Sequence, residues 1–225
     1  RSVSFDFKHP FDFYGEIACA YSFPVFLAND ANCGAWGEVI FQRKRNLRNF
    51  LFVLIEFWKA YDTQTGLSKP TVGLGFGFDG KIYRGSNNRA GEFKSVLNRD
   101  VNSSEQVVVD NQISITEDTE ALHEYLREVC DNLAFLINTL DIANVFIGGN
   151  VETIEDVIPD MLRRALRANS LDNSDERTHI QFSSLGYQAV SFGSAALVLD
   201  KVLMNLEPLS DNASQEALPL FHLLA

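Results

Sequence analysis

The stretch "NFLFVLIEFW", Asn49 to Trp58, is a long apolar run that predicts a buried β-strand. Further along, "TVGLGFGF" (Thr71 to Phe78) alternates glycine with large residues and predicts a second strand. Asp79-Gly80 is a strong hairpin signal, and it leads into a third strand at "KIYRG". The polar stretch "KAYDTQTGLSKP" between the first two strands predicts a loop insertion.

Upstream of these strands, Val25 to Ala28 is apolar and predicts a short buried strand. A helix is predicted from about Ala31 to Lys44, with Asp30 as its N-cap. A carboxylate in this position has two interpretations. It can cap the helix, which is the simpler one by composition, or it can face the crevice where ligands bind at the carboxyl ends of strands in α/β sheets.

Downstream, apolar residues spaced by three and four predict a helix from Glu117 to Leu140, with Thr116 or Ser114 as the capping residue. Four further segments are predicted to alternate between strand and helix. They are a strand at "ANVFIGG", a helix within about Ile154 to Ala168 that contains Pro159 near its start, a strand at "HIQFSS", and a closing helix at "QAVSFGSAALVLDKVLMNL". The polar stretch Asn98 to Gln112 predicts a surface loop.

Three consecutive strands followed by alternating helices and strands predict an α/β protein with a mixed sheet covered by helices. The chain has 225 residues, of which 46% are hydrophobic, and this is enough for one compact unit with a sizeable core. It begins at Arg1 rather than methionine, and we expect it to be a fragment of a longer protein.

The formal net charge of -11 argues against this chain itself binding nucleic acid, because neutralising phosphates requires a basic face. The exception is "QRKRNLR", in which Arg43, Lys44, Arg45 and Arg48 favour a solvated helix C-terminus over a nucleic-acid patch. The sequence has neither a membrane-length apolar run nor a leader pattern, so we expect a soluble, cytoplasmic protein without membrane contact. Three widely spaced cysteines, Cys19, Cys33 and Cys130, favour reduced thiols.

Four motifs occur in the order and at nearly the spacing seen in one protein family. They are "PVFLANDANCGAWGE", "DGKIYRGSNNRAGEF", "NVFIGGNVE" and "SSLGYQAVSFGSAALVL". From about Phe11 to Leu203 the chain resembles the ROK family of repressors, open reading frames and sugar kinases, specifically the branch of the N-acetylglucosamine and xylose repressors. The resemblance implies the actin-like, ribonuclease H-like and hexokinase-type ATPase fold, with two lobes around a sugar cleft. Residues 1–48 would then be the end of the first lobe, and residues 49–225 the second lobe.

The resemblance also implies site residues. In ROK sugar kinases the aspartate that matches Asp30 accepts a proton from the attacking sugar hydroxyl, and the asparagine that matches Asn29 bonds a neighbouring hydroxyl. Glu92 matches a glutamate that bonds sugar hydroxyls, although by itself it would suggest a surface carboxylate. Gly148-Gly149 matches a segment near the adenosine, and a tight strand-to-helix turn explains it equally well.

Two departures from the family pattern bear on function. The family's zinc-binding cysteine loop is absent, because Phe93 and Lys94 follow Glu92, and Ser95 replaces a histidine that would also contact sugar. His9, His123, His179 and His222 are scattered, so no metal site is predicted. The glycines of the kinase phosphate loop fall on Lys69, Pro70 and Thr71, and proline has no N–H to offer a phosphate.

These observations favour a sugar-sensing effector domain of a ROK-type transcriptional regulator. The resemblance to such regulators implies a homodimer, and it implies that an upstream winged helix binds the DNA. Under this hypothesis the domain needs no cofactor. An ATP- and magnesium-dependent sugar kinase, with Asp30 as its catalytic base, is the first alternative, and the balance is against enzyme activity. A dimerisation scaffold that has lost ligand binding is the second. The sequence does not identify the sugar.

Overall fold

The computed structural model describes residues 13–21, 25–42, 47–59, 68–101, 103, 105–108, 119–171 and 178–204. Within these ranges five α-helices, five strands and a 3-10 helix at Gly186–Gln188 are found. In chain order the α-helices and strands are α1 (Phe13–Ala20), α2 (Asp30–Phe41), β1 (Phe50–Lys59), β2 (Ser68–Phe78), β3 (Lys81–Tyr83), α3 (Thr119–Leu140), β4 (Asn144–Gly149), α4 (Ile158–Ala168), β5 (His179–Phe182) and α5 (Ala189–Met204).

The five strands form one mixed sheet in the order β3-β2-β1-β4-β5. β2 pairs antiparallel with both β1 and β3, whereas β4 pairs parallel with both β1 and β5. The Asp79-Gly80 turn between β2 and β3 has positive φ at both residues, 50° and 75°, as a two-residue hairpin requires. The predicted fold class, with its mixed sheet and covering helices, is confirmed.

β1 is buried on both of its faces, which is why its sequence is continuously apolar rather than alternating. Leu51, Val53 and Ile55 belong to a large core shared with α3 and α4. Alternate residues point the other way, and Phe50, Phe52 and Leu54 form a smaller core with α2. α2 therefore lies directly on β1 and β2, on the face opposite α3.

Glycines in β2 allow α2 to approach the sheet this closely. A Cβ atom on Gly75 would lie 2.5 Å from the carbonyl oxygen of Ala31 and 2.8 Å from the Cβ of Ala35. Cβ atoms do not approach backbone oxygens this closely, so a side chain at residue 75 would push α2 away from the sheet. The alternation of glycine and large residues in β2 thus reflects helix packing on one face and core on the other.

One prediction about the N-terminal part is wrong, and one element there was missed. Val25 to Ala28 form no strand and contribute nothing to the described sheet, and Phe26 and Leu27 are exposed. A run of four apolar residues forms a strand only if another strand pairs with it. The spacing of apolar residues does not show whether such a partner exists. The short helix α1 was not predicted, since its eight residues, FYGEIACA, lack a helical spacing of apolar and polar positions.

The start of β2 differs from prediction, and α4 lies within its predicted range. β2 begins at Ser68, so Ser68 to Pro70 of the predicted loop belong to the strand. α4 begins at Ile158 after a series of turns, with Pro159 in its first turn. The predicted caps of α3, Ser114 and Thr116, lie outside the described residues. The proposed lobe boundary after residue 48 stays a prediction.

Candidate functional site

The amino end of α2 carries the Asn-Asp pair. Asn29 has an extended backbone, and its side-chain oxygen accepts a hydrogen bond from the N–H of Asn32 at 3.1 Å. Asn29 is therefore the N-cap, and the prediction that Asp30 caps this helix is wrong. Asp30 is the first helical residue, it is exposed, and one of its oxygens accepts the N–H of Ala31 at 2.7 Å.

Glu92 reaches the same place through β2. It forms an isolated antiparallel bridge with Gly73. A Cβ atom on Gly73 would lie 3.6 Å from the Oδ1 atom of Asp30, so Gly73 has Asp30 on one side and the backbone of Glu92 on another. The Glu92 side chain is 64% exposed, and its Oε1 atom lies 3.9 Å from the Nε atom of Arg89. The structure thus brings the Asn-Asp pair and Glu92 together although they are distant in sequence.

The turn before Glu92 is anchored on β2 by a close backbone contact. Gly91 has a φ of +93°, and its carbonyl oxygen accepts the N–H of Leu74 at 3.1 Å. A Cβ atom on Gly91 would overlap the carbonyl oxygen of Leu74. Only glycine satisfies both the positive φ and this approach, so residue 91 determines where the backbone of Glu92 lies on β2.

A third carboxylate, Glu56, was missed in the sequence. It follows Leu54 by two residues, so strand alternation places it on the face of the sheet that α2 covers. Burial raises the pKa of Glu56, and the nearby carboxylate of Asp30 raises it further. The available signal was a single carboxylate within an otherwise apolar strand.

The segment that matches the kinase phosphate loop has the conformation of a paired strand. Lys69, Pro70 and Thr71 lie opposite Trp58, Phe57 and Glu56 in the β1–β2 ladder. Successive N–H groups of a strand point in opposite directions, whereas an anion nest needs consecutive N–H groups that converge. Lys69, Pro70 and Thr71 therefore do not form such a nest in this conformation.

Gly148 and Gly149 have structural explanations in the sheet. A Cβ atom on Gly148 would lie 2.5 Å from the ring of Phe52. Gly149 has a φ of +103°, and a Cβ atom there would overlap the carbonyl oxygen of Ile55. Next to them, the side-chain amide of Asn150 accepts the N–H of Phe57 at 2.8 Å and donates to its carbonyl at 3.1 Å. Close packing on Phe52 accounts for Gly148, and the positive φ with the approach to Ile55 accounts for Gly149, while a role near adenosine stays a prediction.

Ser95 faces the interior rather than the Asn-Asp pair. Its side chain is 2% exposed, and its Oγ atom accepts a hydrogen bond from the Nδ2 atom of Asn132 in α3 at 3.1 Å. The N–H of Val96 donates to the oxygen of the same Asn132 side chain at 2.8 Å. Ser95 therefore anchors the segment after Glu92 to α3.

Side chains also hold the rest of this segment. Gln106 pairs with the backbone of Val72 in β2, accepting its N–H at 2.8 Å and donating to its carbonyl at 2.7 Å, and it also donates to the carbonyl of Phe93. The carboxylate of Glu128 accepts the N–H of Val108 at 2.9 Å. We call residues 93–108 the anchored segment. Among the described residues, no three His, Cys, Asp or Glu side chains are grouped so that they could hold a metal ion.

The cysteines and histidines add no reactive group to the site. Cys33 and Cys130 are buried and Cys19 is exposed, and all three are free thiols. Burial is the main cause that raises the pKa of Cys33, and it raises that of Cys130 to about 12, so both are poor nucleophiles. His123 and His179 lie apart on α3 and β5. The other two histidines and the cations at positions 43–45 lie outside the described residues. None of the described helices is long and apolar enough to cross a membrane.

The sheet topology and its covering helices define an α/β protein of the actin-like ATPase fold, as solved structures show. A ROK-family glucokinase from Streptomyces griseus in complex with glucose and AMPPNP matches at a TM-score of 0.62 and 19% identity, covering 88% of this chain and 75% of the glucokinase. A ROK-family transcriptional regulator, a homologue of the Escherichia coli MLC protein, matches at 0.60 and 17%, covering 81% and 54%. Lmo2764 from Listeria monocytogenes, described as an N-acetylmannosamine kinase, matches at 0.59 and 20%, covering 85% and 71%.

Part of the sequence is similar to the ROK family. The model of the ROK family matches residues 5–97, which include Asn29, Asp30 and Glu92. The xylose repressor of Bacillus subtilis (strain 168) is 33% identical over 81 residues, or 36% of this chain, and the match spans 18% of that repressor. The predicted resemblance to the ROK family is confirmed for this part of the chain, and the structures with a similar fold include both a regulator and sugar kinases.

Proposed function

We propose that this chain is the effector-binding part of a ROK-type transcriptional regulator, and that it binds a sugar or sugar derivative at Asn29, Asp30 and Glu92. One observation carries the proposal. Asp30 and Glu92 both lie at Gly73, while the residues that match the phosphate loop run as a paired strand. Two residues that the resemblance assigns to sugar binding thus adjoin the same position of β2, and the segment that matches the phosphate loop is not in a phosphate-binding conformation.

The chemistry of these groups suits a polyol. Ionised carboxylates accept hydrogen bonds from hydroxyl groups, and such charge-assisted bonds are about twice as strong as neutral ones. The similarity to the xylose repressor supports the regulator over the kinase, because that repressor is a regulator. DNA binding by a separate upstream domain, a homodimer and a cytoplasmic location complete the proposal, which requires no metal or nucleotide.

The alternative is an ATP-dependent sugar kinase of the same family. It is favoured by the exposed Asp30 carboxylate and by the fold shared with the glucokinase. A scaffold that binds no ligand would not explain why Asp30 and Glu92 lie near the same strand position.

A thermal-shift experiment on the full-length protein with a panel of pentoses, hexoses and N-acetylated hexoses tests the proposal. A ligand that binds only the folded state at one hundred times its Kd stabilises it by about 2.7 kcal/mol. For a domain of this size the melting temperature should then rise by roughly 5 to 10 °C with one member of the panel. If no sugar raises it, the scaffold is favoured instead.

A further inference from the structure

The position of Glu56 suggests which form of sugar the site takes. Glu56 lies opposite Thr71 in the β1–β2 ladder, one strand repeat beyond the pair formed by Leu54 and Gly73. Residues two apart on a strand lie about 7 Å apart on the same face. Because Asp30 lies against Gly73, Glu56 extends the acidic surface from Asp30 toward the end of β1.

Glu56 is close enough to Asp30 for the two carboxylates to affect each other, and it is only partly exposed to solvent. Charges in such partly buried positions are screened less by water and salt than exposed ones. A further negative group placed beside Asp30 would therefore meet repulsion from two carboxylates at once.

Among the described residues, no cation forms an ion pair with Glu56 or Asp30. Arg89 lies 3.9 Å from Glu92, and Arg84 acts, as Asp30 does, on the thiol of Cys33. Because Pro70 has no N–H, the strand at Lys69 to Thr71 offers only two N–H groups, and these lie about 7 Å apart rather than converging. In the described part of the chain, the groups that face Glu56 and Asp30 thus favour a hydroxyl and disfavour a phosphate.

We propose that Glu56 is a specificity-determining residue that acts with Asp30 to select a sugar with a free terminal hydroxyl over its terminal phosphate ester. This inference rests on the proposed function, because it assumes that a sugar hydroxyl lies at Asp30. A phosphate ester adds a charge of about -1.5 to -2 at neutral pH, next to the hydroxyl position that both carboxylates face.

The test compares each free sugar with its own ester on the full-length protein. Xylose, glucose, mannose and N-acetylglucosamine are titrated calorimetrically beside xylose 5-phosphate and the three 6-phosphates. The sugar that binds the parent protein should bind at least about tenfold more tightly than its ester. Glu56→Gln should reduce that ratio by about fivefold or more, by strengthening the ester, while the free sugar changes less than about threefold. Glu124→Gln, on the exposed surface of α3, is the matched control and should leave the ratio unchanged.

The outcomes separate this inference from the proposed function. A free sugar that binds no better than its ester would leave the proposed function intact and overturn the selection. A ratio that is the same in the parent and in Glu56→Gln would overturn the assignment to Glu56. If neither sugars nor esters bind, the proposed function itself fails, and the inference fails with it.

Discussion

Asn29 and Asp30 are neighbours with separable roles, since one caps a helix and the other presents a carboxylate. The N-cap is the Asn29 side chain, which accepts the N–H of Asn32, whereas Asp30 accepts only the N–H of the adjacent Ala31, a bond that the oxygen of an Asn side chain can also make. This separation makes the pair a direct test of whether the Asp30 charge serves binding or folding.

We predict that Asp30→Asn leaves the melting temperature nearly unchanged but weakens sugar binding. The variant keeps the shape and removes the charge, and a charge-assisted hydrogen bond is worth about 1.5 to 3 kcal/mol against roughly 1 for a neutral one. The Kd should therefore rise by roughly 3- to 30-fold in calorimetric titration.

The matched control is Asn29→Ala, which removes the cap and should cost about 0.5 to 2 kcal/mol of stability. If Asp30→Asn destabilises the protein as much as Asn29→Ala does, then the carboxylate serves the fold. Unchanged sugar affinity in Asp30→Asn would remove Asp30 from the binding site.

Glu56 makes stability depend on pH. Because its pKa is raised in the folded state, the folded protein retains a proton that the unfolded chain has already released. Stability should therefore fall as pH rises from the ordinary glutamate pKa, about 4.3, through the raised value in the folded protein. Below that window both states are protonated, and the effect vanishes.

We predict that Glu56→Gln melts at a higher temperature than the parent at about pH 7, and that the difference disappears near pH 4. Calorimetric melting of both proteins across this range measures it, with Glu124→Gln as the exposed control. A difference that is the same at both pH values would mean that the substitution changes packing rather than charge.

At the scale of elements, the anchored segment is held to β2 and α3 by side chains instead of by regular secondary structure. The Gln106 side chain takes the place of a neighbouring strand, because it hydrogen-bonds both the N–H and the carbonyl oxygen of Val72. The segment begins directly after Glu92. Its attachment to β2 therefore fixes the backbone on the C-terminal side of Glu92.

We predict that Gln106→Ala destabilises the protein by about 1 to 3 kcal/mol, because it leaves polar groups of Val72 and Phe93 without their partner. The melting temperature should fall by roughly 2 to 4 °C for each kcal/mol. The amide of Val72 should also exchange faster with solvent. Gln188→Ala, at an exposed side chain, is the control. Unchanged exchange at residue 72 would show that the segment is anchored by other contacts.

The pattern of the sequence predicts the elements that are locally encoded. β1 follows from its apolar run, the β2–β3 hairpin from Asp79-Gly80, and α3 from its spacing of apolar residues. The strand start at Ser68 could not be predicted, because Lys69-Pro70 resembles a loop until its pairing with β1 is known. Val25 to Ala28 shows the converse, an apolar run for which no strand pairing occurs in the described sheet.

The same distinction applies to the candidate site. Asn29, Asp30 and Glu92 were predicted through motifs, because the resemblance implies their roles, and those roles stay predictions. Glu56 carries no motif, and its proximity to Asp30 arises only when α2 packs on β1. Contacts of this kind, between residues far apart in the chain, cannot be predicted from the local sequence pattern.

At the scale of the whole molecule, the fold is shared with sugar kinases, but the segment that matches their phosphate loop is a paired strand. We predict that the full-length protein releases no ADP above background from ATP and magnesium with any hexose or pentose of the panel. Catalysis of phosphoryl transfer depends almost entirely on positioning and electrostatic stabilisation, and a paired strand at Lys69 to Thr71 provides neither.

A coupled ADP assay measures this, with a ROK-family glucokinase as the positive control. Sustained turnover with any sugar of the panel would favour the kinase over the regulator. Turnover that also disappears in Asp30→Asn would identify Asp30 as its catalytic base.

The order of the strands also predicts the fate of destabilised variants. β1, the most apolar of the strands, lies at the centre of the sheet, while the three-residue β3 and the four-residue β5 form its borders. Short border strands offer little template for another chain. β1 is covered only after β4 pairs with it, and β4 begins far later in the chain, at Asn144. Until then "FLFVLIEFW" is an exposed β-prone segment, so destabilised variants should be lost to aggregation during synthesis rather than accumulate as soluble unfolded protein.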